Sequence, residues 1–378
     1  MEFFVCPETR LPLELTLLED AERAMGPLSA RPGTPFGRTS QVLVRSDGGC
    51  AYPVHDQGFP LLLIPEMLLP PGMDRSFDLS APQYSEAYAE MAYYDGAAEA
   101  NRMLAESKGI AELERTDCGL RSLAAIAALG PGNNLNFPLP EDVWVDAPYD
   151  GSAQLDAYRH LAPVAGQDVL QLGGTGLHAV KFLLAGARQA TVLTPMPGEL
   201  LFAAHLGERY GVADRLRLVA AVAEELPFTD SSFDRIFSGG CVHHMETSVA
   251  LPESARVLRP GGRFAAVDPW RAPFYGIGIR VFGKREVDVH CRPLTKARVD
   301  PLFGSFEHAR VMHHGTFARY LLIAMGKVGV VPSVRVLRQV EQIDDAAASL
   351  LHVRRFGSSV ALLGTAGPVG QRIGLAIS

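Results

Sequence analysis

The chain has 378 residues, of which 47% are hydrophobic and 20% charged. That length exceeds one compact core, so we predict two or three packed units. The composition is typical of a globular protein rather than of a disordered or fibrous chain. A formal net charge of -7 provides no attraction for phosphate backbones, so we expect no nucleic-acid partner.

The opening segment and the cysteines bear on location. MEFFVCPETR has an early glutamate and no basic region followed by an apolar run, so we expect no signal peptide. The longest apolar stretch, 59–69, is cut by Pro60, Pro65 and Glu66 and falls short of the ~20 residues of a membrane span. Five cysteines are scattered without a C-x-x-C pair, which favours reduced thiols. We therefore expect a cytoplasmic protein with no membrane partner.

Two segments precede the predicted core. Residues 1–70 alternate short apolar runs with Gly, Pro and Asp, which predicts a small β-rich module. Residues 71–150 shift to Ala, Glu, Met and Tyr, and we interpret them as a helical linker and N-terminal lid. Large side chains there recur at helical steps of four, three and three: Tyr84, Tyr88, Met91 and Tyr94.

Residues 151–378 carry alternating strand-like and helix-like runs, beginning DVLQL, HAVKFLLAGA, ATVLT and GELLFAAHLGERYG. Such alternation predicts right-handed crossovers and a mostly parallel sheet, hence an α/β, Rossmann-like, doubly wound fold. A helical insertion is predicted at about residues 317–355, between strand candidates at 308–313 and 358–365. We expect this insertion to cover a ligand pocket.

A glycine-rich loop follows the first core strand. Leu172-Gly173-Gly174-Thr175-Gly176 leads directly into a predicted helix. Glycines allow a ligand to approach the backbone, and a helix N-terminus offers free N–H groups. Taken alone, the loop is a weak signal of ligand binding, and a tight strand-to-helix turn is the alternative.

Further motifs follow in a fixed order. They are AEELPF at 223–228, DSSFD at 230–234, RIFSG, His243-His244, and RVLRPGGR at 256–263. Together with the glycine loop, this set resembles the S-adenosylmethionine (SAM)-dependent methyltransferases of the type 11 group, over about residues 150–270. The resemblance implies a class I methyltransferase fold with SAM as cofactor.

The resemblance also implies which residues bind the cofactor. The loop glycines would hold the methionine part, Thr194 the ribose, and Val222, Ala223 and Glu224 would frame the adenine. Tyr149, just before the core, is expected to close over SAM. Ligands of doubly wound sheets bind beyond the carboxyl ends of the strands, which supports this placement of Gly173, Gly174, Gly176, Thr194, Val222, Ala223 and Glu224. A bulky side chain at Gly173 is expected to block SAM and leave the fold intact.

The sequence departs from the family at the acidic positions. Gln171, Thr194 and Val222 stand where the family has acidic residues, and the glycine loop is one residue short. A neutral group can hydrogen-bond a sugar hydroxyl, but it lacks the stronger charge-assisted bond.

The N-terminal segment resembles the small zinc-ribbon activator subunit that partners several methyltransferases. Cys6-Pro7, Ala51-Tyr52-Pro53-Val54 and GFPLL carry the likeness. Where that family has further cysteines, this chain has Thr9, Arg45 and Gly48. Because structural zinc takes about four ligands, we predict a degenerate ribbon without metal.

His243 and His244 are the candidate catalytic residues, since both follow the predicted fourth core strand. A methyltransferase aligns its acceptor and, for a hydroxyl acceptor, removes a proton, for which histidine has a suitable pKa. The alternative is that either ring merely caps or packs against the sheet.

We favour an enzyme that methylates an oxygen or nitrogen of a small molecule, a secondary metabolite. The alternative is a SAM-fold protein without turnover that serves as a binding or scaffold subunit, motivated by the missing acidic contacts and the ribbon-like module. The oligomeric state is open, with a homo-oligomer among the alternatives.

Overall fold

The strands of the described residues form two β-sheets, one within residues 13–53 and the other within residues 168–365. The computed structural model describes residues 4–26, 28, 39–63, 96–98, 100–107, 109, 111, 113–114, 117–130, 136–139, 141–147, 150–272, 292–318, 321–322, 325 and 334–368. The tyrosines and methionine proposed for the linker helix, the insertion residues 326–333, and Tyr149 lie outside these ranges.

The first sheet belongs to the N-terminal module and is antiparallel, in the order β1-β2-β3. Its elements are β1 (Leu13–Leu17), α1 (Leu18–Met25), β2 (Gln41–Arg45) and β3 (Ala51–Pro53). Helices α2 (Cys118–Ala128) and α3 (Glu141–Trp144) lie between this module and the core in the chain.

The second sheet has seven strands in the order β6-β5-β4-β7-β8-β10-β9. Strands β4 to β8 pair in parallel, and β10 runs antiparallel to both β8 and β9. This confirms the predicted Rossmann-like, mostly parallel sheet. Its strands are β4 (Asp168–Leu172), β5 (Gln189–Thr194), β6 (Leu216–Ala220), β7 (Phe233–Gly239), β8 (Leu258–Pro269), β9 (His308–His314) and β10 (Ser359–Thr365).

Helices cover both faces of this sheet, which is why its central strands read as continuous apolar runs rather than alternating ones. Four of the five residues of β4 and five of the six of β5 are buried. The helices are α4 (Gly151–Leu161), α5 (Leu177–Leu184), α6 (Pro197–Arg209), α7 (Thr247–Val257), α8 (Lys296–Ser305) and α9 (Val334–Leu350).

The N-terminal module is attached to the edge of the large sheet. The amide of Leu62 donates to the Ala220 carbonyl at 2.7 Å, and the Ala220 amide donates to the Pro60 carbonyl at 3.0 Å. These bonds extend the sheet beyond β6 by one short strand segment. Among the described residues this pairing involves Ala220, the last residue of β6, so the module is attached at the carboxyl end of the edge strand.

Helix α9 lies within the predicted insertion and is tied to the core by an ionic cluster. The His314 ring contacts Asp345 through Nδ1 at 2.7 Å and Asp156 through Nε2 at 2.9 Å. Burial opposes the charged ring, but the hydrogen bonds to both carboxylates outweigh it and raise the pKa of His314 to about 9. A cationic histidine thus links α4, β9 and α9 at neutral pH.

In the part of the chain that the structure describes, no helix is both long enough and apolar enough to cross a membrane.

Candidate functional site

A cavity of about 260 Å³ opens at the carboxyl ends of β4, β5 and β7. This is where the order of the parallel strands reverses, since β5 and β7 flank β4 on opposite sides. Most of the wall is apolar or backbone. Its lining residues are Gly173, Gly174, Leu193, Thr194, Pro195, Met196, Glu199, Ala221, Val222, Ala223, Glu224, Gly239, Gly240, Cys241, His244 and Met245.

The three glycines of the loop have different surroundings. All three adopt left-handed φ values, 74° at Gly173, 75° at Gly174 and 79° at Gly176, which favours glycine at each position. Gly173 and Gly174 line the cavity. Gly176 does not; a Cβ atom built there would lie 2.5 Å from the Cβ of Ala203 on α6. Its lack of a side chain therefore permits close packing of α6 rather than contact with a ligand.

The side chain of Gln171 supports the glycine loop through hydrogen bonds. Its side chain is 2% exposed, its Nε2 donates to the Gly173 carbonyl at 2.8 Å, and its Oε1 accepts from the Ala179 amide at 2.6 Å. An amide suits this position because it donates and accepts at once, whereas a carboxylate only accepts. Gln171, which replaces the first acidic residue of the family, therefore hydrogen-bonds to the glycine loop and to α5.

A carboxylate that sequence reasoning missed lies beside Thr194. Glu199, in the first turn of α6, lines the cavity, and its Oε2 accepts a 2.7 Å hydrogen bond from the Thr194 hydroxyl. Helix α6 follows β5 so closely that its first turn returns to the end of that strand. The acidic function absent at Thr194 is therefore present five residues later. The sequence signal that could have revealed Glu199 is an acidic residue in the first turn of a helix that begins at Pro197.

The wall predicted for the adenine is formed by Val222, Ala223 and Glu224, which enter a short 3₁₀ turn at Ala223–Glu225. Glu224 is 5% exposed, and its Oε1 accepts from the Glu246 amide at 2.7 Å. Burial raises the pKa of Glu224 to about 7.

The two candidate histidines are divided between the cavity and the protein interior. His244 lines the cavity. His243 is 8% exposed, and its ring Nδ1 and its backbone amide both contact Asp268 Oδ1, at 2.8 and 3.0 Å. The two rings lie 3.8 Å apart, centroid to centroid. Asp268 at the end of β8 therefore fixes His243, which in turn supports His244.

The N-terminal module brings Cys6 near Tyr52, with the sulfur 3.3 Å from the phenol oxygen. Hydrogen bonds to Asp47 and to Cys6 raise the pKa of Arg45, so a permanent cation occupies this corner. Within the described ranges, no group of three or more His, Cys, Asp or Glu side chains is placed to hold a metal ion. The absence of zinc stays a prediction.

Comparison with known proteins identifies the domain that carries the cavity. Residues 170–266 match the family described as "Methyltransferase domain". The matched segment contains all the residues that line the cavity, and it lies within the stretch of about residues 150–270 whose motifs resemble methyltransferases.

Similar curated proteins include the ubiquinone/menaquinone biosynthesis C-methyltransferase of Brucella anthropi, 41% identical over 99 residues, covering 25% of this chain and 38% of that protein. An O-methyltransferase of Aspergillus nomiae is 36% identical over 110 residues, covering 29% and 49%. The chain thus spans less than half the length of either relative.

Among solved structures, the [4+2]-cyclase SpnF is similar over 58% of this chain and 80% of its own, with 19% identity and a TM-score of 0.40. A geranyl diphosphate methyltransferase solved in complex with SAM is similar over 58% and 85%, with 16% identity and a TM-score of 0.39.

Proposed function

We propose that the protein is an enzyme that transfers the methyl group of SAM to an oxygen or nitrogen of a small molecule, a secondary metabolite. One observation carries the proposal: the glycine turn, a buried carboxylate and a histidine line one cavity, inside the segment that matches the methyltransferase domain. The names of the two relatives, a C- and an O-methyltransferase, support a small acceptor.

The residues around the cavity suit SAM in chemistry and position. Gly173 and Gly174 expose backbone to the methionine part. Glu199 offers a carboxylate, oriented by the Thr194 hydroxyl, for the ribose hydroxyls. Val222 and Ala223 provide an apolar wall for the adenine, with Glu224 at its rim. Tyr149 remains a proposed further contact.

When bound, SAM supplies an electrophilic methyl group whose carbon–sulfur electron pair stays on sulfur as the acceptor's electron pair forms the new bond. The protein aligns the acceptor and receives its proton. We assign the proton to His244, because its ring lines the cavity. His243, fixed by Asp268, is a positioning residue that limits the movement of the His244 ring.

A protein without turnover is the competing function. The missing acidic SAM contacts favoured this alternative. Glu199 weakens it, because this residue places a carboxylate beside Thr194 at the end of β5.

We further propose that residues 1–70 form a degenerate zinc-ribbon-like module that supports the sheet edge at β6, and that residues 71–150 act as linker and lid. The hydrogen bonds of Leu62 and Ala220 support the first assignment. In this arrangement the module stabilises the strand that leads into the adenine wall at Ala221–Glu224.

Calorimetric titration of the full chain with SAM and with S-adenosylhomocysteine tests the cofactor assignment. We expect binding of one molecule per chain to both. No binding by folded protein would overturn the proposal, and binding of SAM without turnover of any phenolic, carboxylic or amino acceptor would favour the scaffold function.

A further inference from the structure

His178 is a polar residue beside Gly239, which lines the cavity, and the proposed chemistry has not used it. It lies in the first turn of α5, directly after the glycine loop, and it is partly exposed. Its ring packs against Phe237 of β7 with centroids 4.5 Å apart. The imidazole therefore lies over the carboxyl end of β7.

A hydrogen-bond network reaches His178 from the interior. Gln154 on α4 accepts through Oε1 from the backbone amides of Asp146 and Ala147, at 3.0 and 3.1 Å. Its Nε2 must then be the donor, to Asp146 Oδ1 at 2.6 Å and to the Tyr158 hydroxyl at 3.1 Å. Asp146 is itself fixed by the buried Lys181, 2.7 Å away. The orientation of the Gln154 amide is therefore determined.

This orientation sets the tautomer of His178. The Tyr158 hydroxyl oxygen already accepts from Gln154, and it lies 2.7 Å from His178 Nδ1. The phenol hydrogen finds its acceptor at Nδ1, so Nδ1 carries the lone pair and Nε2 carries the proton. Burial lowers the pKa of His178 to about 4, a direction that Lys181 reinforces and Asp146 opposes. The ring is thus neutral at physiological pH and acts as a donor rather than a base.

The donor nitrogen lies next to Gly239 in the cavity wall. A Cβ atom built on Gly239, which lines the cavity, would lie 3.0 Å from His178 Nε2. Within the described part of the chain, His178 Nε2 makes no hydrogen bond and is not fully buried. Gly239 leaves this N–H accessible, because any larger residue would place its side chain against the ring.

Resting on the proposed methyl transfer, we propose that His178 binds the acceptor by donating its Nε2–H to a carbonyl or phenolate oxygen next to the methylated atom. The inward network of Tyr158, Gln154 and Asp146 holds the ring in the donor state. The enzyme then selects small acceptors that carry an oxygen lone pair within hydrogen-bond distance of His178 Nε2. Analogues without that oxygen bind more weakly, because the Nε2–H loses its partner.

The first test needs neither cofactor nor turnover. In full-length protein with ¹⁵N-labelled histidine and no SAM, the His178 resonances should show a protonated Nε2 and an unprotonated Nδ1 from pH 6 to 8. Tyr158→Phe keeps the ring but deletes the donor to Nδ1, and it should mix the two tautomers. Protonation at Nδ1, or a doubly protonated ring at neutral pH, would overturn the proposal.

The second test separates His178 from the methyl-transfer assignment itself. His178→Leu should raise KM for the acceptor about tenfold or more, while SAM affinity measured by calorimetry stays within twofold. His178→Gln, which restores an N–H donor, should recover much of the loss.

Thermal melting shows which of these variants are folded. An unchanged acceptor KM in folded His178→Leu would refute the role of His178. Failure of the wild-type chain to bind SAM would instead refute the proposed function and leave the tautomer measurement standing.

Discussion

Glu199→Gln tests the assignment of the cofactor site at the residue that the sequence did not reveal. The substitution keeps the shape and an oxygen that can accept from the Thr194 hydroxyl, now 2.7 Å from Glu199 Oε2, but it removes the charge. Hydrogen bonds to a charged group contribute about 1.5–3 kcal/mol, against about 0.5–1.5 for neutral ones. If a ribose hydroxyl donates to this carboxylate, losing the charge should cost about 1–2 kcal/mol, or roughly 5- to 30-fold in Kd.

Calorimetric titration with S-adenosylhomocysteine measures this loss without interference from turnover. Glu208→Gln is the matched control, since Glu208 is on the same helix and exposed to solvent, and its variant should bind like wild type. The melting temperature of Glu199→Gln should change little, because the Thr194 hydroxyl keeps an acceptor. Equal affinities in Glu199→Gln, Glu208→Gln and wild type would refute the placement of the ribose.

Further predictions concern the histidines and the N-terminal module. His244→Ala should lose roughly 10²–10⁴ in turnover with SAM affinity unchanged. His243→Ala should mainly lower the free energy of unfolding, by about 1–3 kcal/mol, since it leaves Asp268 buried with fewer partners. Near-wild-type turnover in both variants would contradict histidine catalysis. The pKa of His314 is about 9 in the folded chain and about 6.5 in an unfolded chain. The protonated ring should therefore stabilise the folded state fully below pH 6.5, by about 3 kcal/mol, and this contribution should disappear as the pH rises through 9. Denaturation of wild type and Asp345→Asn between pH 6 and 10 should therefore show two curves that converge at high pH, and parallel curves would contradict the assignment. Elemental analysis should find no stoichiometric zinc, and one zinc per chain that survives chelation would show that the N-terminal module was misinterpreted.

Much of the fold follows from local sequence patterns. The apolar runs of β4 and β5, and the helices between them, are features that periodicity and length reveal. The position of the cavity could also be predicted, because ligands of such sheets bind at the carboxyl ends of the strands. Gly173, Gly174, Thr194, Val222, Ala223, Glu224 and His244 all line that cavity.

Other features depend on tertiary contacts that a single sequence does not show. Gly176 packs against Ala203, which follows only from the approach of α6 to α5. The expectation that a bulky side chain at Gly173 leaves the fold intact is wrong, since a Cβ atom there would lie 2.4 Å from Cys241 Sγ and the residue has a positive φ. Glu199→Gln is therefore the cleaner probe of the cofactor site.

Glu199 and His178 escaped prediction for a related reason. Each lies in the first turn of a helix. Glu199 lines the cavity, and His178 lies beside Gly239 in its wall, because each turn follows a strand end. No motif marks this, and only the hydrogen bonds of Thr194 and Tyr158 show what the two side chains do.

The central claim is that this chain moves a methyl group from SAM to a small molecule. The most direct measurement incubates the full chain with SAM carrying a deuterated methyl group and a panel of phenolic, carboxylic, keto and amino acceptors, followed by mass spectrometry of small molecules and protein. We predict that one acceptor class gains the deuterated methyl group in equal amount to the S-adenosylhomocysteine formed, and that His244→Ala suppresses both. Intact SAM with every acceptor, in the presence of folded protein that binds it, would contradict the claim.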